Sequence, residues 1–180
     1  MSAAPRTTPT NPRLGRGPRW RRWLVDALII VMIVAGVRLW MQRGMADGEA
    51  PEIAASTLDG TPVLLSQYAD EPVLVHFWAT WCAVCGLTQA GVDRLAEDRP
   101  VLTVALRSGT VEEVERHLQR EGLRHPVLLD PDGAIAARFG VQGVPASFIV
   151  DTQGRIRFRN TGLTPAWELR LRMAWIDWRS

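Results

Sequence analysis

The two cysteines of this chain lie three residues apart, between a predicted strand and a predicted helix. The chain has 180 residues and contains no other cysteine. An apolar run over residues 73–78 precedes the pair and is typical of a buried strand, and a helical pattern follows it. A cysteine pair at this kind of junction constrains both the fold and the chemistry of the chain.

Cys82 falls at the predicted N-terminus of the helix. The backbone N–H groups there lack helical partners, and the helix dipole is positive at this end, so both stabilise a thiolate. The pKa of the Cys82 thiol is therefore expected to lie below its ordinary value. Cys85 follows on the same helical face, within bonding distance of Cys82. The pair is predicted to cycle between dithiol and disulfide.

A structural zinc site or a structural disulfide would use the same two residues. Structural zinc needs four ligands, and the three histidines show no ligand spacing to the cysteines. A disulfide that closes so small a loop constrains the unfolded chain only slightly. The sequence favours redox use, with the cysteine pair itself as the redox group and with no metal or other cofactor.

Two motifs carry a resemblance to a known family. Residues 77–85 read Phe-Trp-Ala-Thr-Trp-Cys-x-x-Cys, and residues 143–151 read Gly-Val-Pro-Ala-Ser-Phe-Ile-Val-Asp. Together they resemble the thioredoxin superfamily, and within it the membrane-anchored TlpA, ResA and DsbE group, most closely the copper-sensitivity-suppressor type called ScsD. The resemblance covers roughly residues 50–178. It implies an α/β thioredoxin-like fold, with a central mixed sheet flanked by helices and an N-terminal β-hairpin addition.

The same resemblance assigns further site residues. It implies that Pro145 follows a cis peptide bond beside the cysteine pair, and that the backbone of Val144 pairs with the substrate polypeptide. It also places His76 behind the pair, where thioredoxins carry a buried acid. His76 would there accept the Cys85 proton, although a core histidine bonded to backbone is an equal alternative. Substrate contacts are also predicted for the residues around Cys82, namely Trp81, Ala83 and Val84.

The N-terminal region has a different composition from the rest. Residues 1–22 hold six arginines, four prolines and no acid, which predicts a disordered cytoplasmic tail. Residues 23–41 carry only two charges, Asp26 and Arg38, near their ends. As a helix this stretch would extend about 28 Å, which is close to the hydrocarbon thickness of a bilayer. We predict a single transmembrane anchor in the lipid bilayer, followed by a linker over 42–51 and the thioredoxin-like domain over 52–180.

The distribution of arginine predicts the orientation of this anchor. Six arginines precede the span and only two, Arg38 and Arg43, lie at its far end, which places the N-terminus in the cytoplasm by the positive-inside rule. The domain would then lie in the periplasm, attached to the bacterial inner membrane. A cleaved signal peptide is the alternative, but the apolar run exceeds the usual length of one. From residue 44 onward 13 arginines face 18 acids, a formal −5, which argues against nucleic acid as a partner.

The remaining pattern predicts the order of elements. A hairpin is expected over 53–65, around Asp59-Gly60, and a capping box at Thr110 and Glu113 opens a helix. Strands are expected at 101–106 and 126–129, and a second hairpin over 147–159. Thr164-Pro165 predicts the start of a last helix. Four residues of that helix recur at helical spacing and are predicted to pack in the core: Trp167, Leu171, Trp175 and Trp178.

These features predict a protein thiol-disulfide oxidoreductase that reduces or isomerises disulfides in partner proteins. The resemblance implies a membrane electron donor of the DsbD type and a role in copper tolerance or cytochrome c maturation. A disulfide-forming oxidase is one alternative. Another is a copper-binding or copper-delivery module, since two thiols suit Cu(I). A peroxidase is a third, disfavoured by the position of Cys82 in a Cys-x-x-Cys at a helix start.

Overall fold

The structure is a computed structural model that describes residues 19–179, apart from the side chains of residues 19, 21, 22 and 38–41. The predicted tail over residues 1–22 lies almost entirely outside the described residues. The chain divides into two units, one up to Val37 and one from Arg38 onward. The two units are described separately below.

The described part of the first unit is helical. Helix α1 runs over Arg19–Met41, and every described side chain from Trp23 to Val37 is exposed. Across the described residues, no helix combines the length and the apolar character that crossing a bilayer requires. The transmembrane span predicted for residues 23–41 is therefore not confirmed.

The second unit is built on a six-stranded mixed sheet in the order β1-β8-β7-β4-β5-β6. Strand β4 lies at its centre, parallel to β5 and antiparallel to β7. The strands are β1 Gly48–Glu49, β4 Val73–Trp78, β5 Val101–Leu106, β6 Val127–Asp130, β7 Ala146–Val150 and β8 Arg155–Thr161. This arrangement, with the helices on its two faces, confirms the predicted α/β thioredoxin-like fold.

A separate hairpin precedes the central strand, as predicted. Its strands are β2 Ala54–Ser56 and β3 Pro62–Leu64, and a short 3₁₀ turn over Leu65–Gln67 follows. The hairpin reaches the edge of the sheet, where Leu58 N–H donates to the carbonyl of Val127 at 3.1 Å. The addition therefore lies against strand β6.

Four helices complete the second unit: α2 Ala83–Ala96, α3 Val111–Glu121, α4 Ala134–Arg138 and α5 Ala166–Arg179. The predicted capping box opens α3. Thr110 N–H donates to the Glu113 carboxylate at 2.8 Å, and Glu113 N–H donates to the Thr110 hydroxyl at 3.4 Å. Two N–H groups at the helix start are satisfied in this way, which is why the start was predictable.

The central strands present two different faces. On the side covered by α4 and the hairpin, the buried residues of β4, β5 and β7 are apolar. We call this side the apolar face; it includes Val75, Phe77, Leu102, Val104 and Phe148. The opposite side is covered by α2, α3 and α5. We call it the polar face, because the strand register aligns Thr103, His76 and Ser147 in one row across it.

The segment predicted as a linker is fastened to the domain. Met45 is buried, and Ala46 N–H donates to the carbonyl of Phe139 at 2.9 Å. Gly140 has a φ of +64°, and a Cβ there would lie 1.8 Å from the carbonyl oxygen of Gly44. Only glycine fits so close an approach in this conformation. The composition of the segment did not reveal these contacts.

Helix α5 corrects one prediction. Trp167, Leu171, Trp175 and Trp178, predicted for the core, are 54–82% exposed. The buried residues of the helix are instead Leu169, Met173 and Ile176. Both sets recur at helical spacing, so the period alone could not decide which set faces the sheet. In addition, the Thr164 hydroxyl, predicted to cap this helix, accepts a hydrogen bond from Asn160.

Candidate active site

Cys82 and Cys85 form a disulfide at the start of α2, with their Cα atoms 5.3 Å apart. Cys82 is the N-cap residue of the helix, and its sulfur accepts a hydrogen bond from Cys85 N–H at 3.2 Å. The sulfur therefore occupies the position that a capping oxygen takes in other helices. A thiolate at Cys82 would receive the same N–H donor together with the positive end of the helix dipole.

The two sulfurs differ in their access to solvent. Cys85 is 1% exposed and packs with Trp78, whereas Cys82 is half-buried. Of the intervening residues, Ala83 and Val84 are both exposed. A partner protein can therefore reach Cys82 but not Cys85, which fits the predicted division into an attacking and a resolving cysteine.

The loop before Cys82 is held from the neighbouring strand end. Thr80 N–H donates to the Ser108 hydroxyl at 3.1 Å, and the Trp81 indole N–H donates to the carbonyl of Arg107 at 3.1 Å. Trp81 is 63% exposed, so its ring is fixed at one edge and open to solvent on the rest. This arrangement presents a flat apolar surface next to Cys82 and agrees with its predicted contact to substrate.

The second motif lies directly beside the disulfide. The peptide bond between Val144 and Pro145 is cis, the isomer that the resemblance implied. The sulfur of Cys82 lies 3.6 Å from the carbonyl oxygen of Val144. Pro145 is buried, while Val144 is only partly so. The backbone of Val144 is thus next to the sulfur that a substrate would approach, although substrate pairing itself stays a prediction.

His76 lies in the polar row of the sheet and is 1% exposed. Its Nδ1 is 3.0 Å from the Ser147 hydroxyl, so it bonds a side chain rather than the backbone of the alternative prediction. Nε2 is buried and has no hydrogen-bond partner among the described residues. Burial, together with the charge of His125, lowers the pKa of His76 to about 3. An imidazole that resists protonation is a weak base, which weighs against the predicted role as proton acceptor.

A polar network extends from this row under helix α2. The Thr103 hydroxyl accepts from the Trp78 indole N–H at 3.2 Å. It has one proton to donate and two acceptors nearby, the Pro126 carbonyl at 2.8 Å and Nδ1 of His125 at 3.2 Å. Nε2 of His125 in turn lies 3.0 Å from the Gln89 side-chain oxygen. Because the Gln89 oxygen can only accept, Nε2 of His125 carries the proton, and Nδ1 is an acceptor for the Thr103 hydroxyl.

Burial also lowers the pKa of His125, against the opposing effect of Asp93. Gln89 Nε2, like His76 Nε2, is a buried atom without a partner among the described residues. Sequence reasoning missed Gln89, Thr103 and His125. Gln89 lies on α2, Thr103 on β5 and His125 in the loop before β6, and no spacing in the sequence connects them.

The described residues contain no cluster of three or more histidine, cysteine or acidic side chains that could hold a metal ion. The groups described at the site are the two sulfurs, the backbone around them and the polar network that includes Gln89.

Comparisons with known proteins agree with this geometry. A sequence model of the AhpC/TSA family matches residues 46–159. A thiol:disulfide interchange protein DsbE from Tatumella citrea is 31% identical over 161 residues, covering 79% of this chain and 86% of that protein. A thiol-disulfide oxidoreductase ResA from Bacillus thuringiensis is 28% identical over 147 residues, covering 75% and 85%.

A solved structure shows the same fold. A secreted Mycobacterium tuberculosis disulfide oxidoreductase homologous to E. coli DsbE superposes with a TM-score of 0.59 at 27% identity. The match covers 68% of this chain and 94% of that one. The part of the chain that aligns therefore corresponds to nearly the whole of that oxidoreductase.

Proposed function

This chain belongs to the AhpC/TSA family of thioredoxin-like proteins and is a protein thiol-disulfide oxidoreductase, and we propose that it reduces or isomerises disulfides in partner proteins through Cys82 and Cys85. The observation that carries the proposal is the contrast between the two sulfurs. Cys82 is accessible, capped by an N–H donor and adjacent to the Val144 backbone, whereas Cys85 is buried behind it.

The reaction has two steps. In the reduced protein, the Cys82 thiolate attacks one sulfur of the partner's disulfide, and the other partner sulfur leaves as a thiolate. Cys85 then loses its proton and attacks the Cys82 sulfur, which releases the first partner sulfur and leaves the Cys82–Cys85 disulfide. Two electrons pass to the partner, and its two sulfurs each take up one proton.

A partner thiolate is a better acceptor for the Cys85 proton than His76 is. A free cysteine thiol has a pKa of about 8.5, so its thiolate is a far stronger base at neutral pH than an imidazole of depressed pKa. We propose that the Cys85 proton passes to the partner thiolate that the first step releases. In this mechanism His76 stays uncharged behind the cysteine pair.

Two variants test the reaction. Cys82→Ser is expected to lower the rate of disulfide exchange with a protein substrate to that of the uncatalysed reaction. Cys85→Ser is expected to form the first intermediate and to accumulate a mixed disulfide with the partner, visible by non-reducing electrophoresis and mass spectrometry. Exchange that persists in Cys82→Ser would refute the assignment of the attacking cysteine.

We further propose that helix α1 attaches the protein to the bacterial inner membrane, with the domain in the periplasm. The support is that residues 23–37 of the helix are all exposed and include only one charge, Asp26. The six arginines before this stretch support a cytoplasmic N-terminus. Release of the protein from membranes by alkaline carbonate would refute the anchor, and resistance of the domain to protease added to spheroplasts would refute its orientation.

The electron donor and the direction of electron flow follow from the same proposal. A reductase in an oxidising compartment must receive electrons, and we propose a membrane donor of the DsbD type. The redox state of the cysteine pair in cells, trapped by acid and alkylation, should be mainly reduced and should become oxidised when the donor is deleted. A pair that is mainly disulfide while the donor is present would instead support a disulfide-forming oxidase.

The biological setting that we propose is cytochrome c maturation or copper tolerance, the latter in keeping with the resemblance to the ScsD type. In a deletion strain, poor growth on copper would indicate a role in copper tolerance. A reduced level of covalent haem attachment would indicate a role in cytochrome c maturation. A copper-binding module is a separate hypothesis, which rests only on the presence of two thiols. Stoichiometric Cu(I) binding that survives Cys85→Ser would favour it over exchange as the sole activity.

A further inference from the structure

A second surface borders Cys82, on the side of Trp81. An open groove of about 920 Å³ runs from the Thr80-Trp81 loop across the turn after β5 to the outer side of helix α3. Three arginines line it: Arg107, Arg116 and Arg120. We call it the arginine groove. Trp81, which directly precedes the half-buried Cys82, forms one of its walls.

The charge of the groove is opposite to that of the domain around it. Residues 44–180 carry a formal −5, from 13 arginines and 18 acids. The groove holds three arginines and one acid, Glu113, a formal +2. The Glu113 carboxylate already accepts a hydrogen bond from Thr110 N–H at 2.8 Å in the capping box. A concentrated positive site on an acidic domain selects for negative partners.

Contacts within the described residues occupy only a few of the N–H donors of the three arginines. None of the three forms an ion pair there, whereas five other arginines of the domain do. Arg107 donates to the Asp132 carbonyl at 3.2 Å, and Arg116 donates to the Glu112 carbonyl at 3.1 Å. A guanidinium has five N–H donors, so each keeps most of its capacity for carboxylates.

Two of the groove arginines lie on the exposed side of helix α3. Arg116 follows Glu112 by four residues, and Arg120 lies in the last turn, so both positions are compatible with a stable helix. The opposite side of the helix packs into the core through Val114 and Leu118. The two arginines therefore face the groove and not the core.

The backbone ties the groove to the active site. Arg107 has a φ of +45° and is the only non-glycine residue with a positive φ in the described part of the chain. This conformation is strained for a residue with a side chain, and such strain is concentrated at functional sites. The carbonyl of the same residue accepts the hydrogen bond that fixes the Trp81 indole at 3.1 Å. The same residue thus lines the groove and holds the wall next to Cys82, while its guanidinium donates to the Asp132 carbonyl.

We propose that the arginine groove binds an acidic segment of the substrate polypeptide, adjacent to the disulfide that Cys82 attacks. This inference rests on the proposed function and adds the class of its substrate. The polypeptide would pass Val144 on one side of Cys82 and place its carboxylates in the groove on the other. The groove raises the rate of encounter with such substrates, because complementary charge acts mainly on association.

The test compares three disulfide-containing peptides of equal length, whose flanking residues are glutamate, serine or lysine. The reduced full-length protein should exchange with the glutamate peptide about tenfold faster, in kcat/KM, than with the serine peptide at low ionic strength. High salt should remove most of this preference, because the charges are exposed. The lysine peptide should be the slowest of the three.

Charge reversal in the groove sharpens the test. Arg116→Glu combined with Arg120→Glu should invert the order, so that the lysine peptide becomes the fastest of the three and the glutamate peptide the slowest. The matched control reverses two exposed arginines outside the groove, Arg94→Glu and Arg155→Glu. It changes the net charge equally and should keep the preference for glutamate.

The outcomes separate the two proposals. Equal rates with the glutamate and serine peptides in the parent protein would overturn the groove and leave disulfide exchange intact. The same inversion of order in the control variant would also overturn the groove, since net charge alone would then explain the effect. Absence of exchange with every peptide in the parent protein would refute the proposed function itself.

Discussion

The two faces of the central sheet are built from the same strands and differ in one row of residues: the apolar face is apolar throughout, whereas the polar face carries a polar row among apolar residues. On the apolar face Phe77 packs between two aromatic rings. Its ring centroid lies 5.3 Å from that of Phe139 and 5.8 Å from that of Phe148. On the polar face its neighbour in the strand, His76, bonds Ser147 and retains a buried nitrogen without a partner among the described residues. Alternation along a strand thus places an aromatic core residue on one face and a buried polar residue on the other.

The largest effect is expected on the apolar face. Phe77→Ala should lower the free energy of unfolding by about 3–5 kcal/mol, because it leaves a cavity between two rings. The exchange rate of the remaining folded molecules should not change. Urea unfolding and the rate per folded molecule measure the two quantities, with Phe77→Leu as the milder control. A large loss of exchange rate per folded molecule would show that the apolar face also supports the reaction.

Acid should act through the polar face. The pKa of His76 is about 3 in the folded protein and about 6.5 in the unfolded chain, so between these values only the unfolded state binds the proton. The free energy of unfolding should therefore fall as pH decreases, by roughly 2 kcal/mol from this residue between pH 6.5 and 5. His76→Asn should reduce this slope without abolishing it, because the lowered pKa of His125 acts in the same direction. An identical slope in the variant and the parent would contradict the assignment.

Thr103→Val tests the network on the same face. The substitution keeps the shape of the side chain and leaves the Trp78 indole N–H without its acceptor, so we expect a loss of about 1–2 kcal/mol in unfolding free energy. In a Trp78→Phe background the same substitution should cost clearly less. Equal costs in both backgrounds, measured by a double-mutant cycle, would mean that the two residues are not coupled.

The smallest effect is expected on the outer side of helix α5, which covers the polar face. Trp178 is 82% exposed, and Trp178→Ala should change the unfolding free energy by less than about 0.5 kcal/mol. Met173 is fully buried in the same helix, and Met173→Ala should cost about 2–5 kcal/mol. A large cost for Trp178→Ala would restore the sequence-based expectation that its side of the helix packs in the core.

The parts that were predictable depend on neighbouring residues. The buried run of β4, the hairpin turn and the capping box of α3 are local patterns, and the structure confirms them. The disulfide position followed from its spacing and from the strand before it. The cis bond at Pro145 could be expected only from the resemblance, since most X-Pro bonds are trans.

The parts that were missed depend on residues far apart in the chain. Gln89, Thr103 and His125 meet only because α2 and β5 pack together, and no motif marks them. The left-handed Arg107 gives no signal in the sequence, because arginine rarely adopts this conformation. Helix α5 has two apolar stripes, and which of them is buried depends on the sheet that the helix covers.

The hairpin that precedes β4 has a consequence for the behaviour of the protein in a crowded solution. An exposed sheet edge is a template on which another chain can add a strand and start aggregation. Here Leu58 and Thr57 occupy the edge at β6, and β1 pairs with the start of β8 at the other. Farther along β8 the edge carries the charged side chains of Arg157 and Arg159. Both edges are thus protected, so self-association through strand pairing is suppressed in a protein whose reaction requires repeated close contact with other polypeptides.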